Sequence, residues 1–163
     1  MEITPLTVTF ALFAVFALGG GLGVVLSRNI LHAALYLILA LFGIAGLFLT
    51  LAAPFLAVVQ ILVYIGAISI LITITIMVTR RVMGAEGCVN RQWPIAAIGS
   101  LLTFAALAFV VVSNFAGAVP TEDVPPDMIE RIGQGFASPQ GYLVPFEVAS
   151  LLLLGALIGA IVI

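Results

Sequence analysis

The sequence predicts an all-α integral membrane protein with five transmembrane helices, and three observations predict it. Hydrophobic residues make up 64% of the 163 positions and charged residues 7%, with a mean hydropathy of +1.37. Soluble domains carry about 25% charged residues, so lipid must be the solvent for most of this chain. The apolar residues fall into runs of roughly 20 residues or more, the length a helix needs to cross a bilayer. The few charges sit mainly between those runs.

The same composition excludes other classes. A net charge of -2 with no basic patch does not suit nucleic acid. Cys88, the single cysteine, stands in a polar loop and cannot form an internal disulfide, and no cysteine or histidine cluster has metal-ligand spacing. No metal or iron–sulfur centre is expected in this chain.

Charged or proline-bearing edges delimit the spans. The first covers about 6–26 and stops at Ser27-Arg28-Asn29; it is too long, and lacks the basic flank, for a cleaved signal peptide. The second covers about 30–51 and stops at Ala52-Ala53-Pro54. The third covers 55–79 and ends at Arg80-Arg81, the fourth about 93–113 and the fifth about 142–163. All five belong to one membrane domain, 1–163. Residues 114–141 form the one long polar segment, with Pro120, Pro125 and Pro126 limiting regular structure and Met128 to Ile132 suited to a short surface helix.

Arginine placement sets orientation. Arg28, Arg80, Arg81 and Arg91 fall on one side, against Arg131 on the other. Basic residues concentrate on the inner face of a membrane, which predicts an outside N-terminus, an inside C-terminus and an external loop at 114–141. Gly19 with Gly23 and Gly155 with Gly159 form two G-x-x-x-G pairs, which let helix backbones approach closely where lipid gives no hydrophobic drive. The helices they meet can lie in this chain or in others.

The third span departs from a merely apolar helix. It carries Gln60, Tyr64, Gly66, Ser69 and Thr73 near mid-depth, where each polar group must find a partner or cost free energy. At about 100° per residue Gln60 and Tyr64 share a face, while Ser69 and Thr73 as a pair stand away from it, Ser69 roughly 140° from Tyr64. A regular helix cannot bring the four together. One π-bulge near Gly66 would rotate the later half by about 100° and reduce that gap to about 40°. Glycine weakens the helix there. The competing arrangement is a regular packed helix whose hydroxyls bond back to the preceding turn.

Residues 60–68, Gln-Ile-Leu-Val-Tyr-Ile-Gly-Ala-Ile, with Met77 near the helix end, resemble the third-helix signature of subunit J of respiratory complex I, the counterpart of mitochondrial NADH dehydrogenase subunit 6. Ser27-Arg28-Asn29 with His32-Ala33-Ala34-Leu35-Tyr36 resembles that family's entry to its second helix. Residues 145–150, Pro-Phe-Glu-Val-Ala-Ser, through Gly159-Ala160-Ile161-Val162 resemble its last. The matching stretches cover about half the chain. The resemblance implies a subunit that binds no cofactor and is not catalytic alone, in a proton-translocating NADH:quinone oxidoreductase whose other chains hold FMN, iron–sulfur clusters and quinone. It implies neighbours among membrane-arm subunits A, H, K and N, and a third helix whose π-bulge makes or breaks a water path. Tyr64 and Gly66 carry that role over, with Gln60, Ser69 and Thr73 as further proton-path candidates. Many members have an acidic residue before the phenylalanine that opens the third helix; here Pro54 precedes Phe55, so no role of that carboxylate transfers.

Two ionisable candidates remain. Glu147 lies within the fifth span and qualifies as an intramembrane carboxylate, although a helix starting at Pro145 would put it in the first turn, where the dipole favours negative charge. His32 stands at the inner end of the second helix, where an interfacial or packed place is the reading set against a proton relay. Rival classes are an inert scaffold subunit, the equivalent subunit of a ferredoxin-linked or hydrogenase relative, and an independent small transporter. The last would call for an internal repeat or paired intramembrane charges, and the sequence shows neither. The compact length and lack of a targeting segment point to a bacterial plasma membrane; a mitochondrial inner membrane fits as well.

Overall fold

The computed structural model describes residues 4–79, 92–115, 125 and 127–162. Glu2, Arg80, Arg81, Cys88, Arg91, Pro120, Glu122, Asp123 and Pro126, on which parts of the orientation and loop expectations rest, lie outside the described residues. Among those described there are six helices and no strand, and five of the helices are long and apolar enough to cross a membrane. The contacts divide the chain into two compact units, Met1–Val119 and Pro120–Ile163.

The first unit begins with α1 (Pro5–Leu26) and α2 (Ile30–Thr50). Pro5 occupies the first turn of α1, where its missing N–H costs nothing. Asn29 caps α2, its side chain accepting the Leu31 N–H at 3.0 Å. The pair packs through small residues. A Cβ on Gly20 would stand 2.5 Å from the Ala40 backbone, and one on Gly23 would stand 2.6 Å from the Tyr36 ring, while Gly43 and Gly46 meet Ala17 and Phe13 in return. The sequence paired Gly19 with Gly23; in the structure Gly19 has open space and Gly20 takes the contact. Phe13 and Phe42 close one end edge-to-face, with centroids 6.0 Å apart.

Helix α2 ends in a Schellman turn. The Ala53 N–H bonds the Phe48 carbonyl at 2.9 Å and the Ala52 N–H bonds the Leu49 carbonyl at 3.2 Å. Ala52 holds the left-handed position, with φ 54°, that glycine usually fills. Ala52→Gly is therefore expected to raise thermal stability in detergent by up to about 1 kcal/mol, and a fall in midpoint would show that the turn is not strained.

Pro54 then opens α3 (Pro54–Thr79), which packs against α2. The proline sits at the first helical position, one residue before the start read from sequence. Helix α4 (Trp93–Phe115) has no buried residue.

The second unit contains α5 (Met128–Ala137) and α6 (Leu143–Val162). Helix α5 is amphipathic and longer than the Met128–Ile132 segment expected. The turn after it is closed by the Tyr142 N–H on the Gly135 carbonyl at 2.8 Å, so close that a Cβ on Gly141 would stand 2.5 Å from that oxygen. Phe136 stacks on Phe146 at 5.8 Å, tying α5 to the first turn of α6. Asp127 accepts from Arg131 Nε at 2.9 Å, a hydrogen bond that holds its carboxyl below the usual range; the pair is solvent-exposed and adds little to stability. Gly155 and Gly159 have open space where a Cβ would stand.

Candidate functional site

The backbone of α3 is not uniform. Pro54–Val59 is regular, Gln60–Ser69 is wound as a π-helix, and Ile70–Thr79 is regular again. The Gln60 N–H still reaches the Leu56 and Ala57 carbonyls, and the Ile70 N–H closes the far end on Ala67. Between them the ladder runs to the carbonyl five residues back. The Ser69 hydroxyl follows the same spacing, donating to the Tyr64 carbonyl at 2.7 Å. Thr73 caps the next turn, its hydroxyl donating to the Ser69 carbonyl at 2.8 Å. The winding thus begins at Gln60, six residues before Gly66, and extends over ten residues.

Burial along α3 records what this winding does. Ala57 and Ser69 are each 1% exposed and Gln60 is 7% exposed, and the contacts of this segment outside its own helix are with α2. In a regular helix Ala57 and Ser69 would stand about 120° apart, and Gln60 and Ser69 about 180° apart. Removing about one residue's worth of rotation brings Ser69 to within about 20° of Ala57. The same correction places Ile65 and Ile76 within about 20° of Ala57, and both are less exposed than their neighbours. Only the unwound backbone explains this set.

The structure therefore brings Gln60 and Ser69 to the α2 side, with Thr73 half-buried beside them. It does not bring Tyr64, which is 46% exposed. The expected gathering of Tyr64 assumed unwinding after it; because the winding starts at Gln60, Tyr64 is rotated outward with the rest. Gly66 faces outward too, and a Cβ there would meet one described atom, the Ile61 carbonyl oxygen five residues back, at 3.3 Å. Sequence reasoning missed Ala57, Ile65 and the α2 residues Ala34 and Ala45, which are 4% and 1% exposed. An alanine in an apolar run carries no signal until its neighbour is known.

The remaining candidates stand apart. His32 is the third residue of α2 and exposed. Helix α6 begins at Leu143, so Glu147 lies beyond the first turn, about 6 Å along the axis, and the capping role considered for it does not hold. It is exposed and has no hydrogen-bond partner among the described residues. Glu147→Gln is expected to leave quinone reductase activity within about two-fold of the parent across pH, checked in membranes; a pH-dependent loss would make it a proton carrier.

Five apolar spans, one with a π-wound segment presenting buried polar groups to its neighbour, define a multi-pass membrane protein. The chain belongs to the NADH-ubiquinone/plastoquinone oxidoreductase chain 6 family, which it matches over residues 20–163. It is similar to F420H2 dehydrogenase subunit J of Methanosarcina mazei, 39% identical over 95% of this chain and 88% of that one. NADH-quinone oxidoreductase subunit J of Rhodobacter capsulatus is 37% identical over 98% of this chain and 81% of its own length. NAD(P)H-quinone oxidoreductase chain 6 of Leptolyngbya boryana is 38% identical over 95% and 77%. The spans and the likeness to the Rhodobacter subunit make this a multi-pass plasma-membrane protein, a subunit of the quinone oxidoreductase class.

Proposed function

We propose that this chain is the non-redox membrane-arm subunit of a proton-translocating NADH:quinone oxidoreductase, and that α3 couples quinone reduction to proton transfer by passing between π and regular winding. One observation carries the reading: the π winding holds Gln60 and Ser69, polar and nearly buried, on one side of a bilayer-spanning helix. Relaxing it would rotate the later half by about 100° and change which groups line that side. Intramembrane polar groups are costly unless partnered, so such a rotation can open or close a hydrated path. Tyr64, Gly66 and Thr73 belong to the same moving segment.

In this reading the N-terminus lies outside and the C-terminus inside, the chain binds no cofactor, and FMN, iron–sulfur clusters and quinone reside in its partners. Membrane-arm subunits A, H, K and N are the proposed neighbours. The open faces at Gly155 and Gly159, and α4 with no buried residue, support packing by other chains and also fit the scaffold alternative. The relatives' names carry different donors, F420H2, NADH and NAD(P)H, so the donor is a property of other subunits.

Gentle purification through a tag on this chain, with mass spectrometry and quinone reductase assays using NADH, F420H2 or reduced ferredoxin, tests the assignment. Co-purification of quinone-chamber and antiporter-like subunits with donor-dependent activity is expected. A chain that purifies alone and transports ions after reconstitution would overturn it.

A further inference from the structure

We infer that Ser69 is a positioning residue, and that its small size against α2, rather than its hydroxyl, selects the π winding of Gln60–Ser69. The inference rests on the proposed function only for its consequence in coupling; its structural part stands on burial and rotation.

Helix α2 presents two faces. Tyr36, Ala40 and Gly43 receive α1. Ala34 and Ala45, eleven residues apart and so within about 20° of one another, lie on a different side, with Ala40 about 120° and Gly43 about 180° from Ala34. The other helix in contact with α2 is α3, whose fully buried residues, Ala57 and Ser69, are also small. Small residues on both partners permit the close approach on which packing within a bilayer depends.

A regular α3 would break this match. Measured from Ala57, the position that returns to the same face after three turns is Ile68, about 20° away, and the position after two turns is Tyr64, also about 20° away. In the π winding those places belong to Ser69 and Ile65, while Ile68 is 43% exposed and Tyr64 46% exposed. Relaxation therefore exchanges a hydroxymethyl for a sec-butyl group, and an isoleucine for a phenol, on the most buried face of α3. Overpacking of that kind is unfavourable.

The hydroxyl does not discriminate between the windings. It bonds the Tyr64 carbonyl five residues back here, and in a regular turn a serine hydroxyl reaches the carbonyl four back equally well. Its contribution is to keep a buried oxygen satisfied in either state.

The test uses the assembled complex. Ile68→Ser combined with Ser69→Ile preserves composition but moves the small side chain to the place a regular helix needs. Electron cryomicroscopy of resting particles is expected to show a regular α3 in this variant, with the ratio of π to regular winding lowered at least ten-fold. Ser69→Ala is expected to keep the parent winding. A swapped variant that stays π-wound, or Ser69→Ala that loses the winding, would overturn the inference. Should the swap fail to assemble, Ile68→Ala, at an exposed position, is expected to raise the regular fraction several-fold, and an unchanged ratio would count equally against it. Protons pumped per quinone reduced, measured on the same membranes, separate the two proposals. A swap that winds regularly yet pumps as the parent leaves the role of Ser69 standing and removes the coupling role of α3.

Discussion

Gly66→Leu is expected to lower the protons pumped per quinone reduced by about three-fold or more in a complex that still assembles. Two effects act in the same direction. A Cβ at Gly66 would stand 3.3 Å from the Ile61 carbonyl, the oxygen five residues back on which the wide turn depends, so the side chain crowds the π winding. Replacing glycine by leucine also strengthens a regular helix by about 0.5–1 kcal/mol, enough to change a two-state ratio several-fold. Gly66 faces away from α2, so the helix pair itself should survive. Quenching of a pH-sensitive dye in membrane vesicles, normalised to quinone reduction, checks the expectation. Parent-level pumping in a fully assembled variant would show that winding at Gly66 is immaterial.

Gln60→Leu is expected to separate stability from coupling in the opposite sense. Gln60 is 7% exposed and has no side-chain hydrogen bond among the described residues, where no enclosed side-chain nitrogen or oxygen lacks a partner, so its amide atoms keep access to the surface. Leucine of similar volume removes the need to keep that amide solvated beside α2. The melting midpoint of the purified complex should be unchanged or higher. If the amide serves to carry a hydrogen-bonded water through the α2–α3 contact, pumping should fall by about three-fold or more while quinone binding is retained. Equal stability and equal pumping would reduce Gln60 to packing. Activity gained at the expense of stability is a common trade at functional sites.

The helical frame was legible in the sequence because hydropathy, Asn29 and Pro54 mark where spans end and begin, and a bilayer permits few alternatives to a helix. The phase of packing was not. G-x-x-x-G spacing picked Gly19 with Gly23, but which glycine meets α2 depends on how the neighbouring helix is rotated, and Gly20 takes that place against Ala40. In α3 the conflict between the faces of Gln60 and Ser69 was visible from spacing, whereas the point at which the helix unwinds was not. Gly66 marks a weak place, yet the wide turns begin at Gln60, which moves Tyr64 outward and substitutes Ile65. Ala34, Ala45 and Ala57 stayed silent because an alanine among leucines and valines becomes informative only opposite another small residue.

Comparing α3 in the assembled complex at rest and during quinone reduction tests the central claim most directly. Electron cryomicroscopy of both samples would follow the backbone of Gln60–Ser69 and the positions of Tyr64, Ile68 and Ser69. The account predicts two windings whose proportions shift with turnover, with Ser69 against α2 in the π-wound particles and Ile68 there in the regular ones. A single winding, identical in both samples, would contradict it.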